Sequence, residues 1–318
     1  MKILLTGSSG QIGTNLALKL IQQGHQVQGI DKRKNTWTDK IPTIILDLSH
    51  RFTSFEKGFG DHHVPFTPDL VVHFAANAKV HELVKHPDRA MDNIVDTFNV
   101  LEYCRRHKLP IIFSSSREVY GDIKRFVTDE KQADFLYTES PYSASKIAGE
   151  ALIYSYAKCY GIPYIVLRFS NVYGRYDNDI DRMERVIPLF IKRIDAGEPI
   201  VVFGKDKVLD FTYVDDCTQG VMLAIQKLHE GKVKNEIFNL AFGQGHSLLN
   251  MVGFISESLG KNANMTVKET QVGEVRQYIA DISKAKTLLG YNPTTSLKEG
   301  IKKTVDWWKE TNALSTKR

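Results

Sequence analysis

This chain has very little cysteine. Cys104, Cys159 and Cys217 are the only three in 318 residues, and no two share a C-x-x-C spacing. Neither a disulfide framework nor a structural zinc site is expected, and a reducing, cytoplasmic setting fits best. Each cysteine falls in a helix-like apolar pattern, so burial is expected for all of them. Long apolar runs are also missing; none approaches the roughly 18 residues that a membrane-spanning helix needs. Neither sign of charge dominates: 42 basic against 37 acidic residues leave a net charge of +5. That excess is too thin and scattered to suggest a nucleic-acid surface. No repeat, linker or low-complexity stretch stands out, and the start of the sequence lacks the architecture of a secretory leader. What is there is the composition of a soluble protein, 42% hydrophobic and 25% charged, with enough chain for a large core.

Short apolar runs at 3–5, 27–30, 44–46, 70–74 and 111–113 read as buried parallel strands, and 12–23 and 90–107 as helices between them. Such alternation implies βαβ units with right-handed crossovers. Residues 142–160 continue as a long helix and 164–169 as the next strand. After Gly174 the rhythm becomes less regular, with strands at 200–203, 237–240 and 265–270. The expected fold is α/β: a Rossmann-type doubly wound parallel sheet over residues 1–174, then a smaller C-terminal α/β substrate lobe over 175–318, some of whose segments return to the sheet. The helix at 297–310, with Trp307 and Trp308, closes the chain by packing.

Gly7, Gly10 and Gly13, in Thr6-Gly7-Ser8-Ser9-Gly10-Gln11-Ile12-Gly13, follow the first strand and open the first helix. A tight turn, close approach of backbone to a pyrophosphate and close helix–strand packing all call for glycine there. Amides at the helix start can meet phosphates. Asp31 ends the second strand at the distance expected for ribose recognition. It favours NAD by repelling a 2′-phosphate, while Lys32, Arg33 and Lys34 leave room for NADP. Asp47 and Leu48 follow the third strand, where the adenine edge would lie. Phe74, Ala75 and Ala76 follow the fourth, where small residues let the backbone pass close to a cofactor.

Ser116 ends the fifth strand, and Tyr142 and Lys146 lie four residues apart on one helix face. A hydroxyl, a phenol and an ammonium are the parts needed to take a proton from a sugar hydroxyl as hydride leaves the same carbon. A free phenol, with a pKa near 10, needs a neighbouring cation to ionise.

With this set of residues the sequence resembles the extended short-chain dehydrogenase/reductases, specifically the NAD-dependent epimerase/dehydratase family that acts on nucleotide sugars. The ordered motifs are TGSSGQIG, Asp31, DL at 47–48, HFAA at 73–76, SSSREVYG at 114–121, YSASK at 142–146, RFSNVYG at 168–174 and DFTYVDD at 210–216, with VRQYIADISKAKTLLGY at 275–291. The resemblance implies that Tyr142 is the base, Lys146 its activating cation and Ser116 the orienting hydroxyl. It places Gln11, Ile12 and Asn93 with the glycines at the NAD site, and Asn171, Val186 and Arg276 at the nucleotide diphosphate, UDP being favoured. Glu118 matches a glutamate of the family's dehydratases and decarboxylases, but Arg117 stands where the dehydratases carry an acid. Glu118 therefore remains open between a C5 base, a sugar contact and a plain loop carboxylate. Relatives usually carry arginine where this chain has Leu209, so a phosphate contact is missing or is supplied by Lys205 or Lys207. The implied activity is 4-epimerisation of a nucleotide sugar; dehydration or decarboxylation through Glu118 is the alternative, and a non-catalytic NAD sensor a third. Relatives commonly dimerise through a four-helix interface, to which 90–107 and 142–160 would contribute.

Overall fold

The computed structural model describes residues 1–50, 64–121, 127–132, 138–177, 185–269 and 277–315. Its main sheet contains β1 (Lys2–Thr6), β2 (Gln26–Asp31), β3 (Thr43–Ile45), β4 (Leu70–His73), β5 (Ile111–Ser116), β7 (Tyr164–Phe169) and β11 (Glu236–Leu240). These seven strands lie in the order β11-β7-β5-β4-β1-β2-β3, every pairing parallel. Alternate side chains divide between two core clusters. Ile3, Leu5, Ile112, Ile165 and Leu167 enter one, and Leu4, Ile111, Phe113, Tyr164 and Val166 enter the other.

A sheet that is apolar on both faces has to be covered on both. Leu16, Ala17 and Leu20 of α1 (Gln11–Gln22) cover the first face, with Val221, Ala224 and Ile225 of α6 (Val214–His229). Val100, Leu101 and Cys104 of α3 (Asp88–His107) cover the second, with Ile153 and Tyr156 of α4 (Pro141–Tyr160). The sequence of α4 defines both its ends. Ser140 caps it by accepting from the Ser143 amide at 3.2 Å, proline occupies the first turn, and Gly161 stops it at φ 70°.

Beyond β7 the chain builds smaller sheets. Strand β10 (Val208–Tyr213) pairs with β8 (Asn171–Tyr173), β12 (Gly245–Ser247) and β14 (Gln277–Ala280), and β14 also pairs with β6 (Val127–Thr128). Strand β9 (Ile200–Phe203) pairs with β13 (Met265–Lys268). The last helix, α9 (Leu297–Ser315), packs Leu297, Ile301 and Val305 into the first cluster. Trp308, partly buried, donates from its indole to Asp195 at 3.2 Å.

One cysteine departs from expectation. Cys104 and Cys217 are buried, but Cys159 is exposed, because it sits in the last turn of α4 beyond the buried stripe that ends at Tyr156. Among the described residues, no helix is long and apolar enough to cross a membrane.

Candidate active site

The strand order reverses between β4 and β1, and in open α/β sheets the crevice beyond the carboxyl ends at such a point holds the ligand. A cleft of about 830 Å³ lies there. Its floor is the turn after β1. Gly7 adopts φ +72°, and a Cβ on it would lie 2.7 Å from backbone atoms of Phe74 and Ala75. A Cβ on Gly13 would come within 2.1 Å of the Gly7 carbonyl oxygen. Those two glycines allow internal close packing. Gly10 differs, since its Cβ would meet nothing nearer than 3.4 Å, and it lines the cleft at the start of α1, where no side chain caps the helix. Uncapped first-turn amides beside a wall without side chains fit a dinucleotide's pyrophosphate.

The other sequence-predicted cofactor residues gather around this turn with different commitments. Asp31 accepts from the Ser9 and Arg33 amides, both at 3.0 Å; burial raises its pKa, while these amides and nearby Arg33 and Lys32 oppose the rise. Lys32 donates to Asn77 at 2.9 Å, and Asp47 accepts from the Ser49 amide and hydroxyl. Leu48, Phe74, Ala75 and Ala76 all line the cleft, as does Ile12, which also packs on the core. The Gln11 side chain turns away from the glycine loop, donating to the Gly174 carbonyl at 3.1 Å and accepting from Arg185 at 2.7 Å. Asn93 is buried as a bracket: it accepts from the Asn77 amide at 2.7 Å and donates to Ser145 at 3.1 Å.

At the carboxyl end of β5, the structure brings Ser116, Tyr142 and Lys146 to one wall of the cleft. Tyr142 is buried, and burial pushes its phenol up to about 12; the Ser116 hydroxyl, Arg185 and Arg117 pull it down, and Glu118 adds to the rise. Lys146 is buried as well, and desolvation pulls it down to about 8 against the opposing charges of Asp96 and Glu150. Its ammonium donates to the Ser114 carbonyl at 2.8 Å and lies 5.9 Å from the centre of the Tyr142 ring. Ser116 also accepts from the Glu118 amide at 3.2 Å, which fixes the turn at Arg117–Tyr120. Glu118 is nearly buried and ion-paired to Arg117 at 2.9 Å, and the Arg117 guanidinium lies 5.8 Å from the Tyr278 ring centre. Glu118 is thus not a plain exposed carboxylate.

A buried pair behind this wall holds it in place. Arg168 of β7 grips Glu150 of α4 with two bonds at 2.9 and 2.7 Å, and Glu150 also accepts from Ser115 of β5. The remaining Arg168 nitrogen donates to the Tyr120 hydroxyl at 3.2 Å and the Glu130 carbonyl at 2.9 Å.

The far end of the cleft is lined by Asn171, Val186, Leu209 and Phe211. Asn171 donates to the Asp210 carbonyl at 2.9 Å, and Val186 opens α5 (Val186–Asp195) with its side chain exposed. Arg276 and most of the loops 122–139 and 176–184 lie outside the described residues. Arg185 and Asp96 are cleft-lining residues that the sequence reading did not include. Arg185 precedes a helix with no motif around it. Asp96 had a visible signal, because its spacing from Asn93, Thr97 and Val100 puts a charge on the buried stripe of α3.

Residues 3–241 match the profile of the NAD dependent epimerase/dehydratase family. A putative UDP-glucose 4-epimerase of Methanocaldococcus jannaschii is 33% identical over 318 residues, covering 98% of this chain and 99% of its own. Among solved structures, the UDP-glucose 4-epimerase of Thermotoga maritima with UDP-glucose superposes with a TM-score of 0.89 at 30% identity, covering 98% of this chain and 100% of its own. The UDP-glucuronic acid 4-epimerase of Bacillus cereus, in complex with UDP-glucuronic acid and NAD, superposes at 0.84 with 30% identity and the same coverage.

Proposed function

This chain belongs to the NAD dependent epimerase/dehydratase family, and from that premise we propose that it inverts C4 of a UDP-sugar. The observation that carries the reading is the meeting of Ser116, Tyr142 and Lys146 on the wall of a cleft whose floor is the glycine turn, while Arg117 holds Glu118 in an ion pair. NAD, when bound there, supplies the reversible hydride-accepting capacity that the chemistry requires. The first-turn amides of α1 and the Gly10 wall would hold its pyrophosphate, and Asp31 would take its ribose hydroxyls. Asp47, Leu48 and Ala75, which line the same cleft, would lie beside its adenosine.

Tyr142 accepts the proton of the sugar O4 as C4 becomes a ketone, and returns it once the sugar has presented its opposite face. Burial alone disfavours the phenolate, so cations have to offset it. Arg185 and Arg117 offset only part of it, since the phenol stays at about 12, and the Lys146 ammonium, 5.9 Å from the ring centre on the same helix face, is assigned the remainder when the ligands are bound. The Ser116 hydroxyl bridges O4 and the phenol. Arg117, engaged with Glu118 at 2.9 Å, cannot act as the acid that expels a C6 hydroxyl, which favours epimerisation over dehydration. Asn171, Val186 and Arg276 are assigned to the nucleotide diphosphate. Residues 1–174 carry mainly the cofactor and 175–318 mainly the nucleotide sugar.

Two further assignments accompany this reading. Met91 and Phe98, seven residues apart on α3, are large exposed apolar side chains, as are Tyr154 and Tyr160 on the neighbouring α4. They support a homodimer through these two helices of each subunit. Three unpaired cysteines support a reducing cytoplasm, which recovery of the chain from an oxidising compartment would overturn.

Proton NMR with UDP-hexoses and UDP-uronic acids in D2O tests the reaction. The expected result is a C4 epimer without deuterium. Deuterium at C5 with a keto or decarboxylated product would instead make Glu118 a working base and refute the reading.

A further inference from the structure

Tyr176 takes a left-handed backbone, φ 60°, that a bulky side chain seldom adopts. Among the described residues only Lys108 and Asn235 share that region without being glycine. Lys108 caps the end of α3, and asparagine tolerates the conformation. Tyr176 has neither reason, so its surroundings have to impose the turn. They do so with two rings. Trp37 and Trp307 stand 5.8 and 5.9 Å from the Tyr176 ring centre and 5.0 Å from each other, at tilted to edge-on angles. Aromatic pairs attract one another at that spacing. Tyr176 is half-buried and lines the cleft, whereas both tryptophans stand behind the lining. Its ring is therefore the member of the trio that a ligand can touch.

Neighbouring bonds fix where in the cleft that ring stands. Arg175, just before it, donates to Asn15 of α1 at 3.0 Å and to Asp215 of α6 at 2.6 Å. The Gly174 carbonyl accepts from Gln11, also of α1. From the other side, Asn35 accepts from the Trp37 amide and donates to Thr14 of α1, both at 2.9 Å. Both segments are thus pinned to the opening turns of α1, whose uncapped amides fit a pyrophosphate. Trp307 comes from α9, and its neighbour Trp308 is bonded to Asp195 at the end of α5.

We propose that Tyr176 covers the bound dinucleotide at its pyrophosphate, clamped there by Trp37 and Trp307, so that the C-terminal helix takes part in retaining the cofactor. The inference rests on NAD being the ligand of this cleft. Retention matters to an epimerase, because the hydride taken from C4 has to return to the same sugar. A reduced cofactor that escapes leaves a ketone behind and an enzyme with no hydride acceptor. Tyr176 touches the cofactor, while Trp37 and Trp307 act through it as positioning residues.

Release of NADH from the full-length protein, followed by its fluorescence after mixing with excess NAD, tests the cover. Tyr176→Gly accepts the left-handed backbone and removes only the ring. It should release NADH about three- to tenfold faster than the wild type. Trp307→Ala should do the same. Trp307→Phe keeps an aromatic partner and should stay within about twofold of the wild type. With UDP-glucose or UDP-glucuronic acid, whichever it turns over, Tyr176→Gly should stall early and resume when NAD is added. Unchanged NADH release in Tyr176→Gly overturns the proposal, as does equal release from Trp307→Ala and Trp307→Phe. A raised KM for the UDP-sugar with NADH release unchanged would put the ring at the nucleotide sugar and overturn it too. A purely structural role would lower the melting temperature without speeding release. Failure of the wild type to hold NADH at all would sink the cofactor assignment itself, which is a different result from unchanged release.

Discussion

Replacing Glu150 with leucine removes the only carboxylate that touches the Arg168 guanidinium among the described residues. Both side chains are nearly inaccessible, at 5% and 1% exposure, and they meet through two bonds at 2.9 and 2.7 Å. Stranding a buried guanidinium in this way costs about 3–5 kcal/mol, a large share of the ~5–15 kcal/mol that holds a typical domain together. Arg168→Met should cost a similar amount, because it strands the carboxylate and removes donors from Tyr120 and the Glu130 carbonyl. The double variant strands neither charge. It loses three further hydrogen bonds, from Ser115 to Glu150 and from Arg168 to Tyr120 and the Glu130 carbonyl, at about 1 kcal/mol each, so it should be destabilised by about 3 kcal/mol rather than by the sum of the singles. Urea unfolding of the four proteins at 15 °C reads this as a coupling of several kcal/mol. Additive costs would falsify the account, as would single variants costing under about 1 kcal/mol. Glu150 also opposes the desolvation of Lys146 one turn earlier on α4, so Glu150→Gln should lower turnover before it unfolds the protein.

The remaining predictions concern the catalytic wall, a buried histidine and the subunit contact. Tyr142→Phe should lose about 10²–10⁴ of the epimerisation rate while still binding NAD; retention of a tenth of the wild-type rate would remove Tyr142 from its role. His73, wedged between the hydroxyls of Thr6 and Thr97, is held neutral by burial, which pulls its pKa from 6.5 to about 3. The unfolded chain therefore takes up a proton first as pH falls, and this contribution to stability is present above 6.5 and lost progressively towards 3. Between pH 7 and pH 5 the wild type should lose about 2 kcal/mol more than His73→Gln in urea unfolding, and equal losses would contradict the assignment. Light scattering at micromolar protein should give twice the mass of the 36.1 kDa chain, reduced to one by Phe98→Lys; a monomeric wild type would reject the interface.

The strands with two apolar faces were readable in advance because burial on both sides leaves runs such as Ile3-Leu4-Leu5. The glycine turn and the Tyr142/Lys146 pair were readable because their chemistry dictates spacing along one segment. What stayed hidden depends on partners far apart in the chain. Arg168 looks like any strand-end cation until Glu150, Tyr120 and Glu130 converge on it. Strands β6, β8 and β12, with two or three residues each, are too short to carry a period. Gln11 lies within the nucleotide motif, yet its amide is claimed by Gly174 and Arg185, more than 160 positions away.

Strand β11 has a consequence for how this protein can be divided. It comes from the second half of the chain, yet it pairs with β7 along five consecutive residues, from Glu236↔Ile165 to Leu240↔Phe169. Its Asn239 accepts from Tyr120 and donates to the Thr128 and Asp281 carbonyls. A fragment cut after Gly174 would expose β7 as a long, flat, apolar edge, the kind that recruits other strands. Such a fragment should aggregate even though every residue proposed above to hold the cofactor, apart from Tyr176 and its Trp307 clamp, lies within it. For recombination between relatives, the useful crossover is therefore not at the apparent lobe boundary. A grafted C-terminal half has to bring an edge strand that fits β7 in register, and an asparagine that fits Tyr120.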